Sequence, residues 1–271
     1  MRPLRVGAVE YLNTKPLIHN LNSIAPDWEL ILKVPSLLAG DLALGNLDVG
    51  LIPVVEYFRN PIYRIIPGIS IASNGPVLSV TLFSKVPWPK IRSVALDQGS
   101  RTSISLLTIL SRELHRLDFA PSTLSMDADP SLVSEDAVLL IGDRAMKACL
   151  PGFPFAYDLG QEWQDFARLP FVYAFWAVHP QAFNKNLTKA FALAKKHGQK
   201  AVGEIALHQS QHLGLDAGFC RRYLSHIIHY NLGSKEIAGL ELYQSLLLKH
   251  GLIAEGTSIE FHNPRHFAKS S

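Results

Sequence analysis

Two kinds of hydrophobic pattern alternate along the N-terminal part of the chain. Mainly apolar runs at residues 4–9, 28–34 and 48–52 predict strands, and the first is typical of a strand that is buried on both faces. Each run is followed by a segment in which apolar residues recur at helical spacing. Because strands and helices alternate over short connections, the pattern predicts an α/β fold with parallel strands and helical crossovers.

The strands predicted further along indicate a second unit of the same kind. After a long strand predicted at residues 77–84, two prolines mark the point where we expect the chain to enter a second lobe. A later strand, at residues 171–178, is long and apolar enough to return to the first lobe, which the helices beyond it complete. Two lobes with two connections enclose a cleft that can close by a hinge. The predicted boundaries place residues 1–86 and 179–271 in lobe 1 and residues 87–178 in lobe 2.

Four junctions between a predicted strand and a predicted helix carry polar or turn-forming residues. In an open α/β sheet these junctions lie at the carboxyl edge of the strands, where ligands bind. Asn13 and Thr14 follow the first strand, although both are common helix caps and capping alone would explain them. The candidate binding positions are Tyr11, Asn13, Thr14, Pro53, Ser100, Arg101, Thr102, Ser103, Gly142 and Asp143.

Residues 100–103 have the most informative chemistry of the four junctions. The N–H groups of a helix start, the serine and threonine hydroxyls and the Arg101 guanidinium favour a carboxylate or a phosphate. Ordinary capping by Ser100, with Arg101 on the surface, explains the segment equally well.

Three further positions have two interpretations each. Ser79 lies on the predicted crossing strand, so its hydroxyl points into the cleft or bonds to backbone. Gly142 allows backbone to approach a ligand closely. Asp143 beside it is more typical of a helix cap than of an acid catalyst.

Composition and charge narrow the class of protein. With 48% hydrophobic and 18% charged residues in 271, the chain is expected to fold around a large core. A net charge of +3 without a basic run favours small anions over nucleic acid. Two distant cysteines exclude a disulfide framework and argue against a zinc cluster.

No apolar run approaches the roughly 18 residues of a membrane span. The N-terminus lacks a signal-peptide pattern, so we expect a cytoplasmic protein.

Seven short motifs carry a family resemblance, and they are VGAV at 6–9, YLNTKPL at 11–17, DVGLIPVVEY at 48–57, VLSV at 77–80, SRTS at 100–103, LIGD at 140–143 and LPFV at 169–172. Together they resemble the chorismate dehydratase family, which catalyses the first step of the futalosine route to menaquinone. The resemblance covers most of residues 5–250. One departure is Glu10, where the family usually has a small polar residue; a Glu10 side chain in the pocket would change the local charge.

The resemblance implies a type 2 periplasmic-binding-protein-like fold, with two parallel or mixed sheets, flanking helices and a hinged cleft. It also implies an enzyme that eliminates water from chorismate to give 3-(1-carboxyvinyloxy)benzoate, without a cofactor or a metal. By the same resemblance, Asn13 and Ser79 are catalytic or substrate-orienting, and residues 100–103 hold a carboxylate of this dianionic substrate.

The candidate positions offer few groups that could remove a proton. Asp143 and Glu10 are the carboxylates near the junctions, and no histidine lies there. We therefore hypothesise that a carboxylate of the bound substrate helps to remove the proton, while Asn13 and Ser79 orient it. Positioning of this kind can lower a barrier by about 7–11 kcal/mol in the best cases.

Two other functions stay open at this point. The sister enzyme of the same route, dihydroxynaphthoate synthase, is expected to use a pocket histidine as its base, and the junctions contain none. A small-anion binding or sensor module of the same fold is expected to carry a signal peptide, a lipid-attachment cysteine or a helix-turn-helix, and none is visible. Fold alone does not separate an enzyme from a binding protein.

Overall fold

The computed structural model describes residues 2–182, 186–256 and 258–262, and these ranges contain ten strands and eleven α-helices. The strands are β1 (Leu4–Val9), β2 (Trp28–Lys33), β3 (Val49–Pro53), β4 (Arg64–Ser73), β5 (Val80–Ser84), β6 (Ser93–Asp97), β7 (Ala120–Leu124), β8 (Ala137–Ile141), β9 (Phe155–Asp158) and β10 (Phe171–Val178). The helices are α1 (Lys15–Ile18), α2 (Leu21–Ile24), α3 (Pro35–Ala43), α4 (Val54–Arg59), α5 (Thr102–His115), α6 (Gly142–Lys147), α7 (Leu159–Ala167), α8 (Leu187–Lys200), α9 (Val202–Leu213), α10 (Ala217–Arg222) and α11 (Ser234–Lys249).

The strands form two five-stranded sheets of the same design. The first sheet has the order β2-β1-β3-β10-β4, and the second has the order β7-β6-β8-β5-β9. In each sheet four strands run in the same direction, and the fourth position is taken by a strand that is antiparallel to both of its neighbours. The predicted α/β class with two mixed sheets and flanking helices is confirmed.

The two exchanged strands show where the chain passes between the sheets. β5 pairs with β8 and β9 in the second sheet, whereas β10 pairs with β3 and β4 in the first. Strand pairing thus favours crossings before residues 80 and 171, a few residues earlier than the boundaries predicted at 86/87 and 178/179. The division into two lobes remains a proposal.

The segment before β5 differs from its prediction. Residues 77–84 were expected to form one strand, but the strand begins only at Val80. The reason is that the N–H groups of Val77 and Leu78 donate to the Asp158 carboxylate, and Leu78 has a φ of 62°. Ser79 therefore lies at the end of a fixed loop and not within a strand.

The C-terminal helices cover the first sheet. Trp176 of β10 and Phe191 of α8 are almost fully buried, and their ring centroids are 4.4 Å apart. α8 also presses on the start of α1, because a Cβ at Gly198 would lie 1.9 Å from the carbonyl oxygen of Pro16. This contact fixes the segment that follows β1. Within the described ranges, no helix has the length and apolarity that crossing a membrane requires.

Candidate functional site

A cavity of about 600 Å³, including its open mouth, lies between the two sheets. The wall combines apolar residues with the polar residues of the strand-to-helix junctions. Ten of the eleven predicted site residues line it, and they are Tyr11, Asn13, Thr14, Pro53, Ser79, Ser100, Arg101, Thr102, Ser103 and Gly142. The carboxyl edges of both sheets therefore converge as the sequence predicted.

A chain of hydrogen bonds joins the two residues that were predicted to be catalytic. The Asn13 amide Nδ2 donates to the Tyr223 hydroxyl at 3.4 Å, and the Tyr223 hydroxyl donates to Ser79 Oγ at 2.8 Å. Asn13 lies in the 3₁₀ turn Leu12–Thr14 after β1, and Tyr223 begins the π-helical turn Tyr223–Ile227 after α10. We call Asn13, Tyr223 and Ser79 the hydrogen-bond chain.

Tyr223 was not among the predicted site residues. It lies in a segment that the sequence indicated only as helical, far from either partner along the chain. Its side chain is almost fully buried, and burial is the main cause that raises the pKa of its phenol well above the ordinary range. Tyr223 therefore stays neutral and keeps its proton for Ser79 across the physiological pH range.

Asp158 holds the loop that presents Ser79. Its carboxylate accepts the N–H groups of Val77 and Leu78 on one side, and those of Gly160 and Gln161 at the start of α7 on the other. A positive φ at a leucine costs of order 1–3 kcal/mol and persists only when its surroundings enforce it. The charged acceptor supplies that enforcement.

Residues 100–103 form the other polar part of the cavity, which we call the anion wall. They precede and begin α5, a helix of 14 residues whose N-terminus carries the positive end of the helix dipole. Ser100 Oγ is buried and has no hydrogen-bond partner among the described residues. Arg101 is exposed, and its guanidinium pairs with no carboxylate in the described part of the chain.

Thr102 has a partly structural role. Its Oγ1 accepts the N–H of Val55 at 3.3 Å, and its carbonyl oxygen accepts the Tyr243 hydroxyl at 3.1 Å. These bonds tie the start of α5 to α4 and α11. The anion wall is thereby fixed to both sheets.

Asp143 is the predicted binding residue that does not line the cavity. Its Oδ1 accepts the N–H of Leu12 at 3.0 Å, so the carboxylate caps the turn that carries Asn13. Burial, the largest cause, raises the pKa of Asp143 above its ordinary value. This contact holds the N-terminal turn against α6, and direct substrate binding by Asp143 stays a prediction.

Tyr11 packs on the backbone of Gly142. Gly142 has a φ of 60°, and a Cβ there would lie 3.0 Å from the Tyr11 ring. The Gly142 N–H donates to the Ser79 carbonyl oxygen at 2.8 Å. Glycine is thus required both by the backbone conformation and by the close approach of the ring.

The charge of the cavity wall is positive. Of the residues that line it, Arg101 is the one that is charged at neutral pH, and the wall contains no histidine and no carboxylate among the described residues. Glu10 is exposed and lies outside the lining, so it adds no negative charge. In the described part of the chain, no group of three or more His, Cys, Asp and Glu side chains could hold a metal ion.

Comparison with known proteins identifies relatives across the whole site. A family model described as menaquinone biosynthesis matches residues 4–248. A chorismate dehydratase of Thermus thermophilus is 30% identical over 266 residues, which is 91% of this chain and 96% of the relative. A chorismate dehydratase of Campylobacter jejuni is 27% identical over 244 residues, which is 88% of this chain and 94% of the relative.

Solved structures share the fold at low sequence identity. Protein AF1704 from Archaeoglobus fulgidus superposes with a TM-score of 0.74 at 18% identity, over 93% of this chain and 99% of that one. The periplasmic aliphatic sulphonate binding protein SsuA from Escherichia coli superposes with a TM-score of 0.62 at 16% identity, over 97% of each chain. The periplasmic-binding-protein-like fold is confirmed. The chain is a homologue of chorismate dehydratases and belongs to the menaquinone-biosynthesis family.

Proposed function

We propose that this protein is a chorismate dehydratase, a carbon–oxygen lyase that removes water from chorismate to form 3-(1-carboxyvinyloxy)benzoate. The observation that carries the proposal is the cavity wall, whose one charge among the described residues is the Arg101 cation and which offers no protein base. Such a wall suits a dianionic substrate, one of whose carboxylates acts as the base. The family model for menaquinone biosynthesis matches residues 4–248, which include both polar parts of this wall.

The substrate is oriented by its two carboxylates. One carboxylate lies at the anion wall, where it meets the Ser100 hydroxyl, the Arg101 guanidinium and the start of α5. The buried Ser100 hydroxyl then gains a partner that the described residues do not provide. The ring and the enolpyruvyl group face the apolar part of the wall and the hydrogen-bond chain.

The reaction breaks the C3–H and C4–O bonds and forms an aromatic ring. C3 is conjugated through a double bond with the ring carboxylate, so negative charge that develops at C3 spreads onto that carboxylate. Donors of the hydrogen-bond chain, which are fixed beforehand, stabilise this charge without rearranging. A carboxylate of the substrate takes the C3 proton and passes it to the departing C4 hydroxide, which leaves as water, so that the carboxylate is regenerated.

Asn13 and Ser79 hold the substrate in the geometry for this step. Both belong to the hydrogen-bond chain and both line the cavity. Neither is a base at neutral pH, so they act by donating hydrogen bonds and fixing orientation. We further propose that the reaction needs no cofactor, that it takes place in the cytoplasm, and that the lobes close on the substrate by a hinge.

The alternatives have less support from the site. Dihydroxynaphthoate synthase is expected to use a pocket histidine as its base, and the described lining of this cavity contains no histidine. A small-anion binding or sensor module needs the anion wall, but it does not need a buried hydrogen-bond chain in the same cavity. The chain is also a homologue of enzymes across most of its length.

The proposal is tested by incubating purified protein with chorismate in the presence of EDTA and without any added cofactor. Chromatography follows the loss of chorismate and the appearance of the enolpyruvyl ether of 3-hydroxybenzoate. We expect product in equal amount to the chorismate consumed, well above the uncatalysed background. Binding of chorismate without turnover would favour the binding module. Folded protein that neither binds nor converts chorismate would contradict the proposal.

A further inference from the structure

Tyr223 lies between the two proposed catalytic residues and has one proton to donate. The Asn13 amide nitrogen can only donate, so the Tyr223 hydroxyl oxygen accepts that bond and its own proton is directed to Ser79 Oγ. The proton of Ser79 must then point away from Tyr223. Because Ser79 lines the cavity, that direction leads to the bound molecule.

The position of Tyr223 is enforced by packing. The residue is 1% exposed, and it begins the π-helical turn Tyr223–Ile227 that ends the helical segment after α10. π-turns are rare and occur frequently at functional sites. The ring belongs to the core between the C-terminal helices and the cavity wall.

We infer that Tyr223 is a positioning residue that makes Ser79 a hydrogen-bond donor to the substrate. This inference rests on the proposed dehydration. Without the Tyr223 hydroxyl, Ser79 can rotate and donate to other acceptors, so its hydroxyl is no longer aligned. When the Tyr223 hydroxyl is present, a line of donors runs from Asn13 through Tyr223 to Ser79. This line ends at the oxygen of the substrate that gains negative charge.

The direct test is Tyr223→Phe, which removes one buried hydroxyl and keeps the ring. The matched control is Tyr230→Phe. Tyr230 is equally buried in the same C-terminal region, and its hydroxyl has no hydrogen-bond partner among the described residues. Both variants are compared with wild type for melting temperature, kcat and KM at a temperature well below the melting point of each.

We expect Tyr223→Phe to lower kcat by about 10- to 100-fold, because a small misplacement of a catalytic group can cost up to about 100-fold, with KM changed less than about threefold. Tyr230→Phe should keep kcat within about twofold of wild type. A structural role alone would lower the melting temperature of Tyr223→Phe without separating kcat from KM, and that result would overturn the inference.

A double-mutant cycle identifies the group through which Tyr223 acts. In a Ser79→Ala background, Tyr223→Phe should lower kcat by no more than about twofold, because the hydroxyl that it orients is already absent. Equal losses in both backgrounds would overturn the inference, as would a Tyr223→Phe enzyme with wild-type kcat. An inactive wild-type protein would overturn the proposed function itself, and the inference with it.

Discussion

The two polar parts of the cavity differ in charge and in how their side chains are held. The anion wall contains the exposed Arg101 guanidinium and the Ser100 hydroxyl, and the Ser100 hydroxyl has no hydrogen-bond partner among the described residues. Both groups can therefore bind a ligand. The hydrogen-bond chain is neutral, and its members already contact one another. The first arrangement provides affinity for an anion, whereas the second provides a fixed geometry. We therefore propose that binding and chemistry are assigned to different parts of one pocket.

This comparison predicts that variants on the two sides change different kinetic constants. Loss of a group that acts mainly in the transition state lowers kcat, and loss of a group that binds ground state and transition state alike raises KM. The predictions for Asn13, Arg101, Asp158 and Asp143 use this separation.

Asn13→Ala is expected to have the largest effect. It removes the first donor of the hydrogen-bond chain and a side chain of the cavity wall. We expect kcat to fall by about 100- to 1,000-fold, as for the loss of one fixed donor at a reacting centre, with KM little changed. Steady-state chorismate turnover measures it, with Asn60→Ala, outside the cavity, as the control. Normal turnover by Asn13→Ala would remove Asn13 from the mechanism.

Arg101→Ala is expected to act on binding. Its guanidinium is available to pair with a carboxylate, and a hydrogen bond to a charged group contributes about 1.5–3 kcal/mol. We expect KM for chorismate to rise by about 10- to 100-fold with a smaller change in kcat. Arg101→Lys keeps the charge but not the bidentate geometry, so it should recover part of the affinity. A kcat loss at unchanged KM would place Arg101 in the chemical step.

Asp158→Ala tests whether the loop before β5 must be held. The variant loses an acceptor for the N–H groups of Val77 and Leu78, which should lower the free energy of unfolding by about 2–4 kcal/mol. Ser79 is then displaced, and we expect kcat to fall by about tenfold. Denaturant unfolding and turnover measure the two effects. Asp165→Ala, an exposed carboxylate of α7, is the control, and equal behaviour of the two variants would contradict the role of Asp158.

Asp143→Asn is expected to have the smallest effect on turnover. An amide oxygen can still accept the Leu12 N–H, so kcat should stay within about threefold of wild type. Steady-state turnover beside a chorismate binding measurement checks this. Loss of activity with intact binding and folding would instead identify Asp143 as the base.

The raised pKa of Asp143 also predicts that the stability of the folded protein depends on pH. Its pKa is raised in the folded protein, mainly by burial, so the unfolded chain releases this proton at lower pH than the folded one. Between the two pKa values the folded state binds more protons, and the free energy of unfolding falls as the pH rises. Asp143→Asn should reduce that slope in denaturant titrations from acidic to neutral pH. An unchanged slope would show that Asp143 does not contribute.

The sequence predicted the cavity well because the determinants of its wall are local. A strand that ends beside a polar turn and a helix start places its side chains at the carboxyl edge, and this rule placed Asn13, Thr14 and residues 100–103 correctly. The apolar runs likewise predicted β1, β2 and β10 close to their observed bounds.

What the sequence did not predict depends on tertiary contacts. Tyr223 reaches Ser79 across 144 positions of the chain, and Asp158 fixes Leu78, which lies 80 positions earlier. No local pattern encodes either contact. β7 was missed because it is exposed along most of its length and lacks an apolar run. The strand expected at residues 77–84 starts late because the carboxylate of Asp158, at the end of β9, accepts hydrogen bonds from its first N–H groups.

The central claim is that a neutral, prearranged hydrogen-bond chain and a cationic wall convert chorismate without a protein base. The most direct measurement is the turnover of chorismate by wild-type protein and Asn13→Ala, side by side, with EDTA and no cofactor. We predict stoichiometric 3-(1-carboxyvinyloxy)benzoate from wild type, with chorismate bound by both proteins and turned over slowly or not at all by Asn13→Ala. Chorismate that is bound equally by both proteins and converted by neither would contradict the account.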